Sequence, residues 1–555
     1  MARMKMRTLP RCIAGLGVVA VSGCGLVLGL DDFKDAAPAD DATSAGAGAG
    51  GAGAGGGATC EPRSVAECYS GPPGTEGVGI CQAGTQACKQ DGSGYEACSG
   101  EVTPAAETCA STEDEDCDGT DCEVWALSFG GELRDEPTGL AIDSSGNSYV
   151  IGEFSGRVDV SGVVLSTTAG KNIFLVKISP SGKLLWARQY GAADGSEAVL
   201  QVPSAIVLDR DGNVFVAGFS SEPFSLGEDL VDRGHFVAKF DPDGQHLWSK
   251  HLTGACLLAG VSSLATTAQG DLLVAGSFCG SIDIGDGAIP SQGADVDVFL
   301  AKLSGSDGSG RRSDGFWGKA FGGEGAQLGT RVMVDPAGNI WLAGSYAKSI
   351  DFGLGSLPPA ERMDAYVVKF SSDGVAVSDA SFHGSGIQTV TGAAMDELGG
   401  PLLAVAFDGS VNTGAGTFMS DGSDSYLVKL SSQATYQWAK LFGGAGDYDG
   451  GELAYDRSGD VFFSGAFDGD MSIGGEELSA SGDSSDIFVV KLTRLGQPLW
   501  SRRFGSPEGD RVLAIKSDSL GDPVIVGTVW ETVDFGGGAL ATNGGADVFV
   551  AKLSP

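Results

Sequence analysis

Positive charge is scarce in this chain: 35 Lys and Arg stand against 72 Asp and Glu. A nucleic acid or anionic-lipid partner is disfavoured by repulsion, since such partners are held by clustered cations. Four of the basic residues (Arg3, Lys5, Arg7, Arg11) fall in an apparent leader, so the mature chain is more acidic still. Histidine is scarcer: His235, His246, His251 and His383 are all there is, and they form no metal or catalytic motif. No G-x-S-x-G, H-E-x-x-H or Walker A string occurs. Charged residues make up only 19%, while glycine reaches 90, which argues against a helical protein and for a turn-rich, all-β one.

What is present is a period. A strand of one aromatic, two aliphatics, a lysine and another aliphatic recurs as FLVKIS (from 174), FVAKFD (236), FLAKLS (299), YVVKFS (366), YLVKLS (426), FVVKLT (488) and FVAKLS (549). The lysines Lys177, Lys239, Lys302, Lys369, Lys429, Lys491 and Lys552 lie 62, 63, 67, 60, 62 and 61 residues apart. Each unit adds an Asp-x-x-Gly turn (Asp143/Gly146, Asp209/Gly212, Asp335/Gly338, Asp396/Gly399, Asp456/Gly459, Asp518/Gly521), with Thr267/Gly270 in the third. The aspartate caps its own backbone and the glycine supplies φ > 0, which is hairpin chemistry. An outer strand contributes Trp125, Trp186, Trp248, Trp317, Trp438 and Trp500, with Ser378 at the odd position, and an apolar residue four places on shares the same strand face.

Four principal strands per repeat are the signature of a propeller. The chain stops where a last tryptophan strand is due and opens the region with a spare one (123–129), so pairing first against last closes a seven-bladed wheel and removes two open edges. Strings such as IDSSGNSYVIGEFSG and FLVKISPSGKLLWARQYG resemble the bacterial seven-bladed β-propeller repeat family of the SBBP type over about 430 residues. The resemblance implies the fold and an exported surface setting, and implies little about activity. The fold class expected is all-β: a seven-bladed β-propeller of four-stranded blades at 123–555, preceded by a small disulfide-rich module.

Residues 1–23 form a basic then apolar signal ending in Val21-Ser22-Gly23-Cys24, which resembles a bacterial lipobox and makes Cys24 the lipidation site. The apolar stretch from Cys12 to Leu30 also admits a membrane anchor or an ordinary signal peptide. All three export the chain, and Gly25 after the cysteine favours the outer membrane or cell surface. Residues 24–58 have almost nothing to bury and serve as a flexible Gly/Ala-rich tether. Residues 59–122 hold Cys60, Cys68, Cys81, Cys88, Cys98, Cys109, Cys117 and Cys122, an even count without histidine, expected to pair as disulfides of undecided connectivity. Within them Asp114, Asp116, Asp118 and Asp121 set oxygen donors around a glycine as calcium requires, although Trp125 stands where an EF-hand has its bidentate glutamate. The stretch resembles the Cys/Asp-rich metal-binding motif of bacterial surface proteins.

In the propeller, Cys256 and Cys279 are expected to bond across two strand ends. The longer loops on one face carry acids (Asp135, Glu197, Glu324, Asp447, Asp449, Asp510) that suit a cation or a basic ligand. The seven lysines are expected to bury their stems and pair locally, with Asp297, Asp364, Asp424, Asp486 and Asp547, five residues upstream, as partners. The function expected is a membrane-anchored, monomeric, non-catalytic binding or adhesion scaffold for a protein or glycan. A carboxylate-based glycoside hydrolase or lyase and a plain structural spacer are the alternatives.

Overall fold

The computed structural model describes residues 60–104 except 73, residue 117, and residues 124–554 apart from 169, 192–199, 228–229, 255–259, 286, 294, 311–314, 415, 421, 444–447, 474–475, 483 and 537. The chain forms two compact units, with the propeller spanning Val124–Leu553.

The period builds seven antiparallel blades. In blade 1 the strands run outward as Glu136–Ile142, Ser148–Phe154, Asn172–Ile178 and Leu184–Tyr190. Blades 2 to 6 repeat that order, their innermost strands being Gln201–Leu208, Val261–Thr266, Gln327–Val334, Gln388–Met395 and Tyr448–Tyr455. Blade 7 takes Arg511–Ser517, Pro523–Val529 and Asp547–Lys552 from the end of the chain and Trp125–Phe129 from its start. That closure pairs Trp125 with Lys552 and Phe129 with Val548, as expected. Innermost strands of successive blades touch all the way round, the seventh against the first.

The apolar core is divided among the blade interfaces. One cluster joins blades 3 and 4 through Leu300, Trp317, Phe321, Leu342 and Tyr366, and another joins blades 7 and 1 through Phe129, Val548, Val150 and Phe174. The outer-strand ladder falls into these seams: Trp248 and Leu252 share one cluster, as do Trp438 and Phe442.

Trp125, Trp186, Trp248, Trp317 and Trp438 also reach into the next blade. A Cβ added at Gly182, in the turn between the third and outer strands of blade 1, would lie 2.6 Å from the Trp125 ring of blade 7. Gly374 of blade 4 meets Trp317 of blade 3 in the same way, at 2.7 Å. These turns run at positive φ, +75° at Gly182, so glycine serves both conformation and clearance. Blade 5 has Ala434 at this position, at φ +61°, and the residue of blade 4 that would cover it is Ser378, the one outer strand without its tryptophan. The two departures from the repeat compensate each other.

Every innermost strand carries a β-bulge at the same height, for example between Pro137 and Gly139, Gly329 and Arg331, and Val512 and Ala514. The extra residue is often a hydroxyl that returns to a second-strand carbonyl: Thr330 Oγ1 donates to Ala343 O at 3.2 Å and Thr391 Oγ1 to Ala404 O at 3.2 Å. The bulges bend the strands around the axis.

In the N-terminal module, short strands Val65–Cys68 and Gly84–Ala87 pair, and the disulfides Cys60–Cys88, Cys68–Cys98 and Cys81–Cys117 staple them. Cys109, Cys122, Cys24 and the aspartates Asp114, Asp116, Asp118 and Asp121 lie outside the described residues. Among the described residues no group of three or more metal-ligating side chains assembles.

Candidate functional site

The repeated lysines are structural, but their partners differ from those expected. Lys177, Lys239, Lys369, Lys429 and Lys491 pair with the turn aspartates Asp143, Asp209, Asp335, Asp396 and Asp456 at 3.5, 3.1, 3.1, 2.8 and 3.1 Å. Blade 3, whose turn has Thr267, supplies Asp271 to Lys302 at 3.1 Å instead. The acids five residues upstream sit at the far end of the same strand, about 16 Å away and on its other face. The turn is close because the second strand runs antiparallel beside the third. Each stem is sandwiched: Lys177 lies opposite Trp186 on one neighbouring strand and Tyr149 on the other, with its ammonium 4.7 Å from the Tyr149 ring centre. The turn aspartate meanwhile holds its own hairpin, Asp143 Oδ1 accepting from the Ser145 and Asn147 amides at 3.0 and 2.9 Å.

The upstream acids have a different task. Asp297, Asp486 and Asp547 are fully buried against the glycines that begin the loops after the outer strands (Gly322, Gly505 and Gly130), and they accept loop amides from Gln292, Ser481 and Asn543.

The expected acidic rim is only partly a rim. Asp135 is fully buried and accepts from the Gly131 and Ser155 amides at 2.9 and 3.2 Å. Asp510 is its counterpart in blade 7, buried on the Ser506 and Trp530 amides at 2.5 and 3.0 Å. Both are loop clamps and present no carboxylate to a ligand. Glu324 is exposed, 3.8 Å from Lys348. Glu197 and Asp447 lie outside the described residues, and Asp449 is placed only by its backbone, opposite Ala466. Cys279 is disulfide-bonded, while Cys256, its expected partner, lies outside the described residues.

Burial pushes the Asp135 carboxyl up to about 6, and the neighbouring Asp547 adds to the rise. Burial likewise raises Asp510, Asp297, Asp364 and Asp547. A carboxyl whose folded pKa exceeds its unfolded value contributes stability that is complete below the unfolded value and is lost as pH rises through the folded one. The propeller is therefore expected to resist urea better at pH 5 than at pH 7.5. Asp135→Asn should flatten that dependence by about 1.4 kcal/mol between those two pH values. An unchanged or inverted slope would refute the assignment.

One cluster was not legible as a motif. Ser381 Oγ lies 2.9 Å from His383 Nε2, and His383 Nδ1 lies 2.7 Å from Asp364 Oδ2, the order of a Ser-His-Asp relay. In blade 6 the matching acid, Asp486, is met by Arg503, so a cation beside this aspartate is a recurrent way to satisfy it. A relay also needs amides free to hold an oxyanion. The two next to His383 are engaged: Gly384 N donates to Asp364 Oδ1 at 3.2 Å and Ser385 N to Ser410 O at 3.1 Å.

Among the described residues, two cavities lie on the axis. One of about 700 Å³ opens among the Asp-x-x-Gly turns and is lined by Asp143, Asp209, Asp335 and Asp396, acids already paired with lysines. The other, of about 480 Å³, runs between the bulged innermost strands, and its charged lining residues are Arg331, Glu452 and Lys516. Arg331 bonds Glu452 and the Thr391 carbonyl through Nη2 and the Thr330 carbonyl through Nη1. Sequence reasoning missed all three. The signal was there in the aligned repeat, where the position of Arg331 and Glu452 is otherwise Gly139, Ala205, Ser263, Gly392 or Ala514.

Fold and site together define a closed seven-bladed β-propeller whose free chemistry lies on its axis and in its loops. Within that class, the family model described as SBBP, Beta-propeller repeat, matches residues 124–153. An uncharacterized WD repeat-containing protein of Acanthamoeba polyphaga mimivirus is 30% identical over 132 residues, 20% of this chain. The chain spans 9% of the length of that relative. Among solved structures, a catalytically inactive virginiamycin B lyase from Staphylococcus aureus, solved with quinupristin, is 8% identical, covering 78% of this chain and 99% of that one with a TM-score of 0.36. A protein of unknown function from Dyadobacter fermentans is 9% identical over 78% of this chain and 99% of that one, TM-score 0.33. Sqt1 from Chaetomium thermophilum is 12% identical over 73% and 97%, TM-score 0.37. These structural neighbours include an enzyme and a protein of unknown function, and nothing about this chain's activity is taken from them.

Proposed function

We propose that the propeller is a non-catalytic binding or adhesion scaffold of an exported protein, anchored at the outer membrane or cell surface through Cys24. A protein or glycan ligand engages its loop face. Calcium bound by Asp114, Asp116, Asp118 and Asp121 would rigidify the segment ahead of the propeller.

The observation that carries this reading is how the loop face is built. Between second and third strands, blades insert small hairpins such as Arg157–Val160 with Val163–Ser166, and Asp470–Ile473 with Glu476–Ser479. Those of blades 3 and 5 pair onto the outer strand of the preceding blade, Thr253 with Asp283 and His383 with Asn412. The result is a firm collar, and Leu133, Leu200, Leu354, Met419 and Trp530 stand exposed on it (54, 46, 46, 68 and 40%). Apolar groups set on an ordered polar rim suit a partner surface or a sugar ring.

A thermal-shift screen of the purified chain against glycans, peptides and calcium is expected to raise the melting temperature for one class by mass action, less so in Trp530→Ala. A silent screen favours a spacer instead. The Ser381–His383–Asp364 relay favours a second reading, a hydrolase. Covalent labelling of Ser381 by a fluorophosphonate would establish that reading and remove the non-catalytic one.

A further inference from the structure

The axial cavity holds two cations and one anion. Arg331 takes Glu452 directly, so one carboxylate is already committed to one guanidinium. Lys516 pairs through its backbone with Val524, but among the described residues no hydrogen bond or ion pair reaches its ammonium; its charged neighbours are Glu452, which favours its protonated form, and Arg331, which opposes it. The surrounding protein holds its ammonium below the ordinary lysine range. Tyr455 lines the same cavity from the adjacent innermost strand, and its hydroxyl is buried with no hydrogen-bond partner among the described residues. A buried donor without a partner is costly.

The repeat shows that the fold does not require this arrangement. Where blade 7 has Lys516, the other six blades have Ala141, Val207, Ala265, Met333, Ala394 and Ala454. Six copies of the strand pack with an apolar residue at this point, so the lysine answers a demand other than packing. An uncompensated ammonium and an unused hydroxyl, lining a cavity of about 480 Å³, match what an oxyanion needs: one charge-assisted donor and one neutral donor in a partly dry site.

We propose that the axial channel binds a small oxyanion, a carboxylate or phosphate, with Lys516 as its principal ligand and Tyr455 as a second donor. Arg331 and Glu452 form the neutral wall of that site, Arg331 fixing Glu452 so that the carboxylate does not neutralise Lys516. The site is distinct from the loop face and does not depend on the reading proposed for it.

The test uses the whole chain at pH 7, titrated separately with sodium acetate and sodium phosphate against sodium chloride of equal ionic strength. A saturable rise in melting temperature with either anion, and a Kd by calorimetry, are expected. Acetate alone marks a carboxylate site, phosphate alone a phosphate site. Lys516→Ala restores the residue found at four sister positions and should fold; it is expected to weaken binding about tenfold or more, the loss of a charge-assisted bond. Lys516→Arg should keep binding, and Tyr455→Phe should weaken it less than Lys516→Ala. No saturable effect of either anion, or the same affinity in Lys516→Ala, overturns the proposal.

Discussion

Deleting residues 124–129 should cost the propeller about 5 kcal/mol or more and turn one cooperative urea transition into a broad one. The strand removed is the outer member of blade 7. Phe129 is 1% exposed in the seam between blades 7 and 1, and Trp125 and Leu127 pack against the same cluster. Burying side chains of this size contributes roughly 1.5–3 kcal/mol each. Deletion also uncovers the edge of Asp547–Lys552 and takes the Trp125 ring off Gly182. For a domain stable by about 5–15 kcal/mol, that loss is a large fraction of the whole. Circular dichroism against urea reads the result. A deletion variant with the wild-type midpoint would mean that the wheel does not depend on its closure.

Replacing Lys552 by methionine is expected to cost about 3–5 kcal/mol, the range for breaking a buried ion pair by removing one partner. Lys552 is the most enclosed of the seven lysines, its side chain 2% exposed, and it faces two carboxylates, Asp518 at 3.0 Å and Asp522 at 2.7 Å. Those acids hold the lysine above its ordinary pKa, so its contribution is complete at neutral pH and lost only as pH rises through the raised value. Methionine fills the space and leaves two acids facing each other. The damage should therefore shrink as pH falls and they protonate, and adding Asp522→Asn should recover part of it. A loss under about 1 kcal/mol at pH 7, or one independent of pH, would show that the pair is not what holds blade 7.

These two sites differ in how far they could be read from the chain. The closure was legible because strand pattern, turn chemistry and repeat length are local properties, and the spare tryptophan strand at 123–129 had only one vacancy to fill. The lysine partners were not. Acids five residues upstream looked near in sequence, yet a strand carries them to the opposite face of the wheel, while a turn some thirty residues earlier returns beside the lysine. The compensations between Ser378 and Ala434, and between Thr267 and Asp271, were visible as departures from the repeat, but which departure answered which required knowing the neighbouring blade or strand.

The acidic loops show the same division. Strand connectivity assigned Asp135 and Asp510 to the longer loops, but whether a carboxylate points out to water or back onto two amides is set by the fold of the loop. The axial cluster is the extreme case: Arg331, Glu452 and Lys516 come from blades 4, 6 and 7, and no short motif can join residues so far apart. Sequence alone determined the blade count, the turns, the closing strand and the face of each ladder, because each follows from patterns a few residues long repeated seven times. Tertiary structure alone decided which charges meet, because strand pairing within a blade and closure of the ring bring together side chains that the chain keeps from about thirty residues apart (Lys177 and Asp143) to 121 apart (Arg331 and Glu452).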